Sequence, residues 1–182
     1  MSVFRLTIGI DPGQTGCIAV LADGEFERVV DMPVMARPSG GNEINGTELA
    51  RGMREIRAKY PGADVLVCLE QVNAMPSRPG PDGQRRGMGS ASAFNFGEGF
   101  GVVKGVIAAL GVPVLMVHPQ KWKKLANLIG REKDVARTLA IQRFPTAADQ
   151  LKRKKDIGRA DALLIAQWAY VTEQVQTARK AA

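Results

Sequence analysis

Three short apolar runs crowd the start of the chain, and the gaps between them have room only for tight turns. Phe4 to Ile10 ends at Asp11-Pro12-Gly13, while Cys17 to Leu21 and Phe26 to Met32 flank an Asp23-Gly24 pair. Runs of this length rich in β-branched residues favour strands, and Asp-Gly between two of them signals a hairpin. Beyond Gly46 the pattern changes, and apolar runs recur only after segments of helical length. An antiparallel meander followed by β/α alternation calls for a mixed sheet, because parallel neighbours need a crossover that a helix supplies.

The alternation can be followed run by run. Residues Ala36 to Gly46 (ARPSGGNEING) read as loop, and Thr47 as the N-cap of a helix to about Tyr60 with Leu49, Met53 and Ile56 on its apolar face. Pro61-Gly62 ends that helix, and Val65 to Leu69 is a strand covered on both faces, bounded by Asp64 and Glu70. Ser90 reads as the N-cap of a helix reaching Leu110, whose glycines at 97, 99, 101 and 105 allow close approach and cost helix stability. Phe94, Phe96 and Phe100 near its start are core residues or wedges against bases, with Phe100 assigned to the core. Val112 to His118 is a further strand, Asp134 to Phe144 an amphipathic helix, and the final helix runs from about Gly158 to Glu173 before a frayed polar tail. The 182 residues, 45% hydrophobic, suit one domain with its own core.

Charge and cysteine usage narrow the setting. Lys and Arg number 25 against 18 Asp and Glu, and a net charge of +7 favours a nucleic-acid partner. Cys17 and Cys68 lie in apolar runs without zinc-site spacing, so they read as buried hydrophobes in a reducing compartment. MSVFRLTIGIDPG has no signal-peptide pattern, and charges or glycines interrupt every apolar run before it could span a membrane. The expectation is a soluble, cytoplasmic protein.

Four carboxylates carry the chemistry. Asp11 and Glu70 end two central strands, and Asp156 and Asp161 stand five residues apart around Gly158, at the start of the final helix. A helix rises only about 1.5 Å per residue, so both can face one small volume. Hard cations such as Mg²⁺ take oxygen ligands and keep positions open for phosphate and water. Each acid alone also reads as a cap or turn residue. Lys152, Arg153, Lys154 and Lys155 precede the helix, either as a phosphate-binding cluster or as a solvated basic turn. The irregular segment Asn73 to Gly89 carries Arg78, Arg85 and Arg86, and is either a phosphate-contacting loop or a linker. In Lys121-Trp122-Lys123-Lys124 the indole should pack inward and the lysines stay near solvent, and the lone His118 reads as structural before it reads as a ligand. Gly13 and Gly16 either shape the turn after the first strand or let a phosphate or metal approach it.

This order of elements resembles the ribonuclease H-like fold, a mixed five-stranded central sheet with helices on both faces. IGIDPGQTG looks like the first strand of the RuvC-type Holliday junction resolvases. LKRKKDIGRADALLIA is similar to the corresponding stretch of the plastid resolvases of plants, as are the segments from Glu70 through Met75-Pro76, Phe94 to Gly105, and Val117 through Lys124. The resemblance implies that Asp11, Glu70, Asp156 and Asp161 bind two Mg²⁺ or Mn²⁺ ions. It implies a lysine at the scissile phosphate, assigned to Lys124, with Lys121 and Lys123 among the DNA contacts. It further implies a homodimer that nicks opposed strands of a four-way DNA junction. The chain departs from the RuvC pattern, where the last two acids are three apart, since Gly158 stands three before Asp161; Ile157 replaces a histidine of the plant proteins. The absence of a plastid transit peptide gives the expectation of a bacterial or phage member. Asp-Pro-Gly-Gln-Thr-Gly also resembles the first phosphate loop of sugar-kinase and actin-like ATPases, which need a second such domain. The same residues would also suit a less selective nuclease on branched DNA or RNA–DNA hybrids, or a branched-DNA binder without catalysis.

Overall fold

The sheet is built outward from β1 (Arg5–Ile10), whose residues are almost all buried. The computed structural model describes residues 4–38, 40–71, 73, 78–79, 85–87 and 89–181. After β1 come β2 (Cys17–Ala22), β3 (Glu25–Asp31), the short pair β4 (Val34–Ala36) and β5 (Asn42–Ile44), α1 (Gly46–Lys59) and β6 (Asp64–Glu70). The chain continues through β7 (Arg78–Pro79), β8 (Arg85–Arg86), α2 (Ser90–Ala109), β9 (Val114–Val117), α3 (Pro119–Leu125), α4 (Lys133–Arg143) and α5 (Ile157–Ala181). Two 3₁₀ turns, Pro145–Leu151 and Lys154–Asp156, link α4 to α5.

The main sheet has the order β3-β2-β1-β6-β9. The pairs β1–β2 and β2–β3 are antiparallel; β1–β6 and β6–β9 are parallel. This is the mixed five-stranded sheet expected from the run pattern. Strand alternation sends Leu6, Ile8 and Ile10 into one core layer with Leu49, Met53 and Ile56 of α1 and Val103 and Ile107 of α2. The opposite layer is filled by α5, α4 and Trp122 of α3 against Ala19, Leu21 and Cys68. Helices therefore cover both faces. Cys17 and Cys68 are buried and free.

Helix α5 lies on β1 at backbone contact, and Gly9 is the reason. A Cβ on Gly9 would stand 2.2 Å from the Ala162 carbonyl oxygen and 2.4 Å from the Ala166 amide nitrogen. Backbone atoms cannot yield as a side-chain tip does. A Gly9→Ala variant is accordingly expected to lose about 3 kcal/mol of stability, the upper end for overpacking, read as a lower urea midpoint at unchanged m-value.

Several local features differ from the sequence reading. Asn45, not Thr47, caps α1: its φ of −80° and ψ of 93° are extended, and its side chain accepts the Glu48 amide at 3.1 Å. The stretch read as loop from Ala36 to Gly46 contains β5, which pairs with β4 through only three residues each, too few to show a period. In the irregular segment 73–89, Arg78 pairs with Arg86 and Pro79 with Arg85 across β7–β8; the rest of that segment lies largely outside the described residues. The tail expected to fray after Glu173 continues as helix to Ala181, in keeping with its Gln, Ala, Arg and Lys content. Phe100 packs against the α1–α2 layer, whereas Phe94 is 69% exposed. Among the described residues, no helix is long and apolar enough to cross a membrane.

Candidate active site

Sheet register sets the first two carboxylates side by side. Ile10 lies opposite Leu69 in the parallel β1–β6 pair, so Asp11 and Glu70 leave the sheet together. The Asp11 amide donates to the Cys17 carbonyl at 3.0 Å, closing the β1–β2 turn, and its Oδ1 accepts the Gly13 amide at 3.3 Å. Glu70 is held from below: the indole of the buried Trp122 donates to its Oε1 at 2.7 Å. The third carboxylate, Asp161, arrives on the first turns of α5. Gly158, one turn earlier, fits against the β1–β2 turn; a Cβ there would lie 2.8 Å from the Thr15 carbonyl oxygen and 3.6 Å from Asp11 Oδ2.

Asp11 and Asp161 line a cleft of about 320 Å³ with Thr15 and Lys123, and Arg131, Lys133 and Lys155 stand on its walls. Burial dominates the electrostatics within. It raises Asp161 to about 7, with Lys123 pulling the value down and Asp11 and Glu70 pushing it up. Burial likewise raises Glu70, opposed by the Trp122 hydrogen bond and Lys123 and reinforced by Asp11. Asp11 is raised by burial against the Gly13 amide and Lys123. Three partly desolvated acids thus repel one another, and Lys123 is the cation that all three feel.

Two residues singled out in the sequence lie off this cleft. Asp156 lines the neighbouring one. Its buried carboxylate accepts the Arg153 amide at 2.8 Å and the Arg153 guanidinium at 2.7 and 3.0 Å, which holds it below the usual carboxylate range. The helix start explains this: residue 156 sits in a 3₁₀ turn ahead of α5, so its side chain caps that turn and does not share the Asp161 face. Lys124 is exposed and off the cleft, while Lys123 lines it, because one step along α3 rotates a side chain by about 100°. Lys121 and Lys154 are exposed, and Lys152 pairs with Asp149 at 2.8 Å. The lone His118 caps α3 with its backbone, its carbonyl accepting the Lys121 amide at 2.9 Å.

Sequence reasoning missed Arg131 and Lys133 altogether. Arg131 lies in the loop between α3 and α4 and Lys133 opens α4; neither helix looks related to β1 in the sequence, and only the fold brings both residues to the cleft. Trp122 was placed inward, but its hydrogen bond to Glu70 carried no sequence signal. Among the described residues, no three acidic, imidazole or thiol side chains are already drawn to the spacing of a metal site. The donor chemistry nevertheless fits a divalent cation: three oxygen donors, buried and mutually repelling, gain most from a compact positive charge.

Comparison with known proteins gives two kinds of likeness. The chain is 29% identical over 157 residues to the Holliday junction resolvase MOC1, chloroplastic, of Chlamydomonas reinhardtii, covering 78% of this chain and 17% of that protein. It therefore spans about a sixth of the length of that relative. The structure is similar to Thermus thermophilus RuvC in complex with a Holliday junction substrate, with a TM-score of 0.57 and 19% identity over 93% of this chain and 96% of that one. A second Thermus thermophilus RuvC structure matches with a TM-score of 0.52 and 16% identity, over the same shares. No family model matches the sequence. With its strand order, its helices on both faces and its match along nearly the whole of RuvC, the chain has a RuvC-like, ribonuclease H-like fold.

Proposed function

We propose that this chain is a metal-dependent endonuclease that resolves four-way DNA junctions as a homodimer. The observation that carries the reading is the mutual repulsion of Asp11, Glu70 and Asp161 around Lys123, at a cleft that Asp11, Asp161 and several cations line, on a RuvC-like fold. The sequence similarity to a junction resolvase supports the choice of substrate. When bound by these three acids, Mg²⁺ or Mn²⁺, two per site on the family's pattern, would supply Lewis acidity and lower the pKa of water.

The protein's own groups have distinct tasks. The Trp122 indole holds Glu70 in place through Oε1. Lys123 places positive charge next to all three acids, where a scissile phosphate would lie. Arg131, Lys133 and Lys155 on the walls hold neighbouring backbone phosphates, and Arg78, Arg85 and Arg86 are assigned to further phosphates of the junction on their sequence alone. Phosphate contacts of this kind position a duplex without reading its sequence. A four-way junction has two-fold symmetry, and a C₂ dimer presents one site to each of two opposed strands. Helix α2 offers a face for the second copy: Gly97, Gly101 and Gly105 have nothing within 4 Å of where a Cβ would stand, and Phe94 heads the same helix.

The test is cutting of a labelled synthetic four-way junction in Mg²⁺, set against linear duplex and an RNA–DNA hybrid. Paired, symmetric nicks on the junction alone are expected. Cutting of the hybrid instead would keep the site and move the substrate class to that of a ribonuclease H-type enzyme.

A further inference from the structure

Beside the acid cleft lies a second one of about 410 Å³, which shares Thr15 and Lys155 with it. Two ion pairs occupy it. Arg159 donates bidentately to Asp31 at the end of β3, Nε to Oδ1 at 2.6 Å and Nη2 to Oδ2 at 2.7 Å, and its Nη1 reaches the Gln150 carbonyl at 3.1 Å. Arg153 and Asp156 form the other, and Asp156 spends both carboxylate oxygens on the Arg153 amide and guanidinium. The Cys17 thiol leans on Asp31 Oδ1 at 3.5 Å. One pair thus ties the first turn of α5 to a sheet strand, and the other closes the turn that feeds it. Between them Gly158 rests on Thr15, and two residues past Arg159 stands Asp161.

We infer that Arg159–Asp31 and Arg153–Asp156 form a clamp that sets where the first turn of α5, and with it Asp161, stands relative to Asp11. A fork-to-fork Arg–carboxylate pair fixes direction as well as distance, which a lysine or a lone hydrogen bond would not. Asp31 sits at the end of β3, and β3 reaches β1 only through β2; Cys17, the first residue of β2, is the register partner of Asp31. The clamp therefore refers α5 to the same turn that carries Asp11. The inference rests on the nuclease reading for its catalytic consequence, but its geometric core stands apart from it.

The experiment is a Mn²⁺ titration by calorimetry, with junction binding and cutting measured on the same folded samples. The set is the wild type, Asp31→Ala, Arg159→Ala and the Asp31→Ala/Arg159→Ala double variant. Arg159→Ala and Asp31→Ala should each weaken Mn²⁺ about tenfold and slow cutting at saturating DNA, with junction affinity within about twofold. The double variant should be no worse than the worse single one, the mark of two groups acting as a unit. Junction affinity lost in Arg159→Ala but not in Asp31→Ala would make Arg159 a phosphate contact and remove the clamp. Lower melting temperatures with unchanged Mn²⁺ affinity would reduce it to ordinary scaffolding. A wild-type chain that binds Mn²⁺ and cuts nothing would sink the nuclease reading, while the Mn²⁺ affinities would still decide the clamp.

Discussion

Asp161→Asn is expected to abolish junction cutting and, in the absence of metal, to make the protein more stable. The first effect follows from its place among the three acids, and a fall in rate of roughly 10³-fold or more is the scale for losing a group that holds the reaction's charge. The second follows from its raised pKa. A carboxyl that titrates near 7 in the fold and near 3.8 when unfolded binds its proton more tightly in the native state. Stability contributed by that proton is therefore lost as pH rises between those two values, and the full cost is present above 7. Removing the charge should recover roughly 2–4 kcal/mol at about pH 8 in EDTA, and little at about pH 4, close to the unfolded pKa, where the native carboxyl is protonated. Added Mg²⁺ should stabilise the wild type and not the variant. The comparison needs only thermal melts at two pH values, with and without metal. An Asn variant that melts lower than the wild type at pH 8 would mean that Asp161 is well paired in the native state.

The second large effect is expected at Lys123. Its ammonium lowers the pKa of Asp11, Glu70 and Asp161 alike, so Lys123→Ala should raise all three. The acid limb of the pH–rate profile then moves to higher pH, because the carboxylates keep their protons longer. Cutting at neutral pH should fall by roughly 10²-fold, the range for losing one preorganised charge at a reacting phosphate. Lys124→Ala, one residue along and exposed, should change neither the rate nor the profile. A large loss at Lys124 with a silent Lys123 would restore the assignment made from the sequence. Salt separates this role from plain phosphate binding. Removing Arg131 or Lys133 should flatten the dependence of junction affinity on salt, whereas Lys123→Ala should act chiefly on rate at saturating DNA.

The sheet was legible because its signals are local and repeated. Asp23-Gly24, the apolar run Val65 to Leu69 and the helix-length spacers after it name a mixed sheet without any tertiary information. Asp11 and Glu70 were legible for the same reason, since a carboxylate ending a buried run is visible as such. Asp156 was read as standing ahead of the final helix, and it stands there in a 3₁₀ turn; that Arg153, three residues back, partners it emerges only from the fold. The choice among Lys121, Lys123 and Lys124 also depended on helix phase, which the inward packing of Trp122 fixes only to within a neighbour. Arg131 and Lys133 needed the path of the chain between α3 and α4, and no local pattern carries that. The face of α2 was half legible: its glycines are plain in the sequence, but that Gly99 alone of the spaced series packs against Ile44 emerges only from the fold.

The backbone contact at Gly9 has a bearing on motion. With β1 and α5 touching through main-chain atoms, the strand end carrying Asp11 and the helix turn carrying Asp161 cannot slide past one another without unpacking the core between them. They behave as the fixed jaw of a vice. Lys123, on the seven-residue α3, sits on a part with fewer such constraints. Any adjustment that admits a phosphodiester of varying geometry, as the strands around a branch point present, would then fall to α3 and the loop behind it. Crystals or hydrogen-exchange profiles taken with and without DNA should accordingly show protection changing around residues 119–133 while residues 5–11 and 159–169 stay as they were.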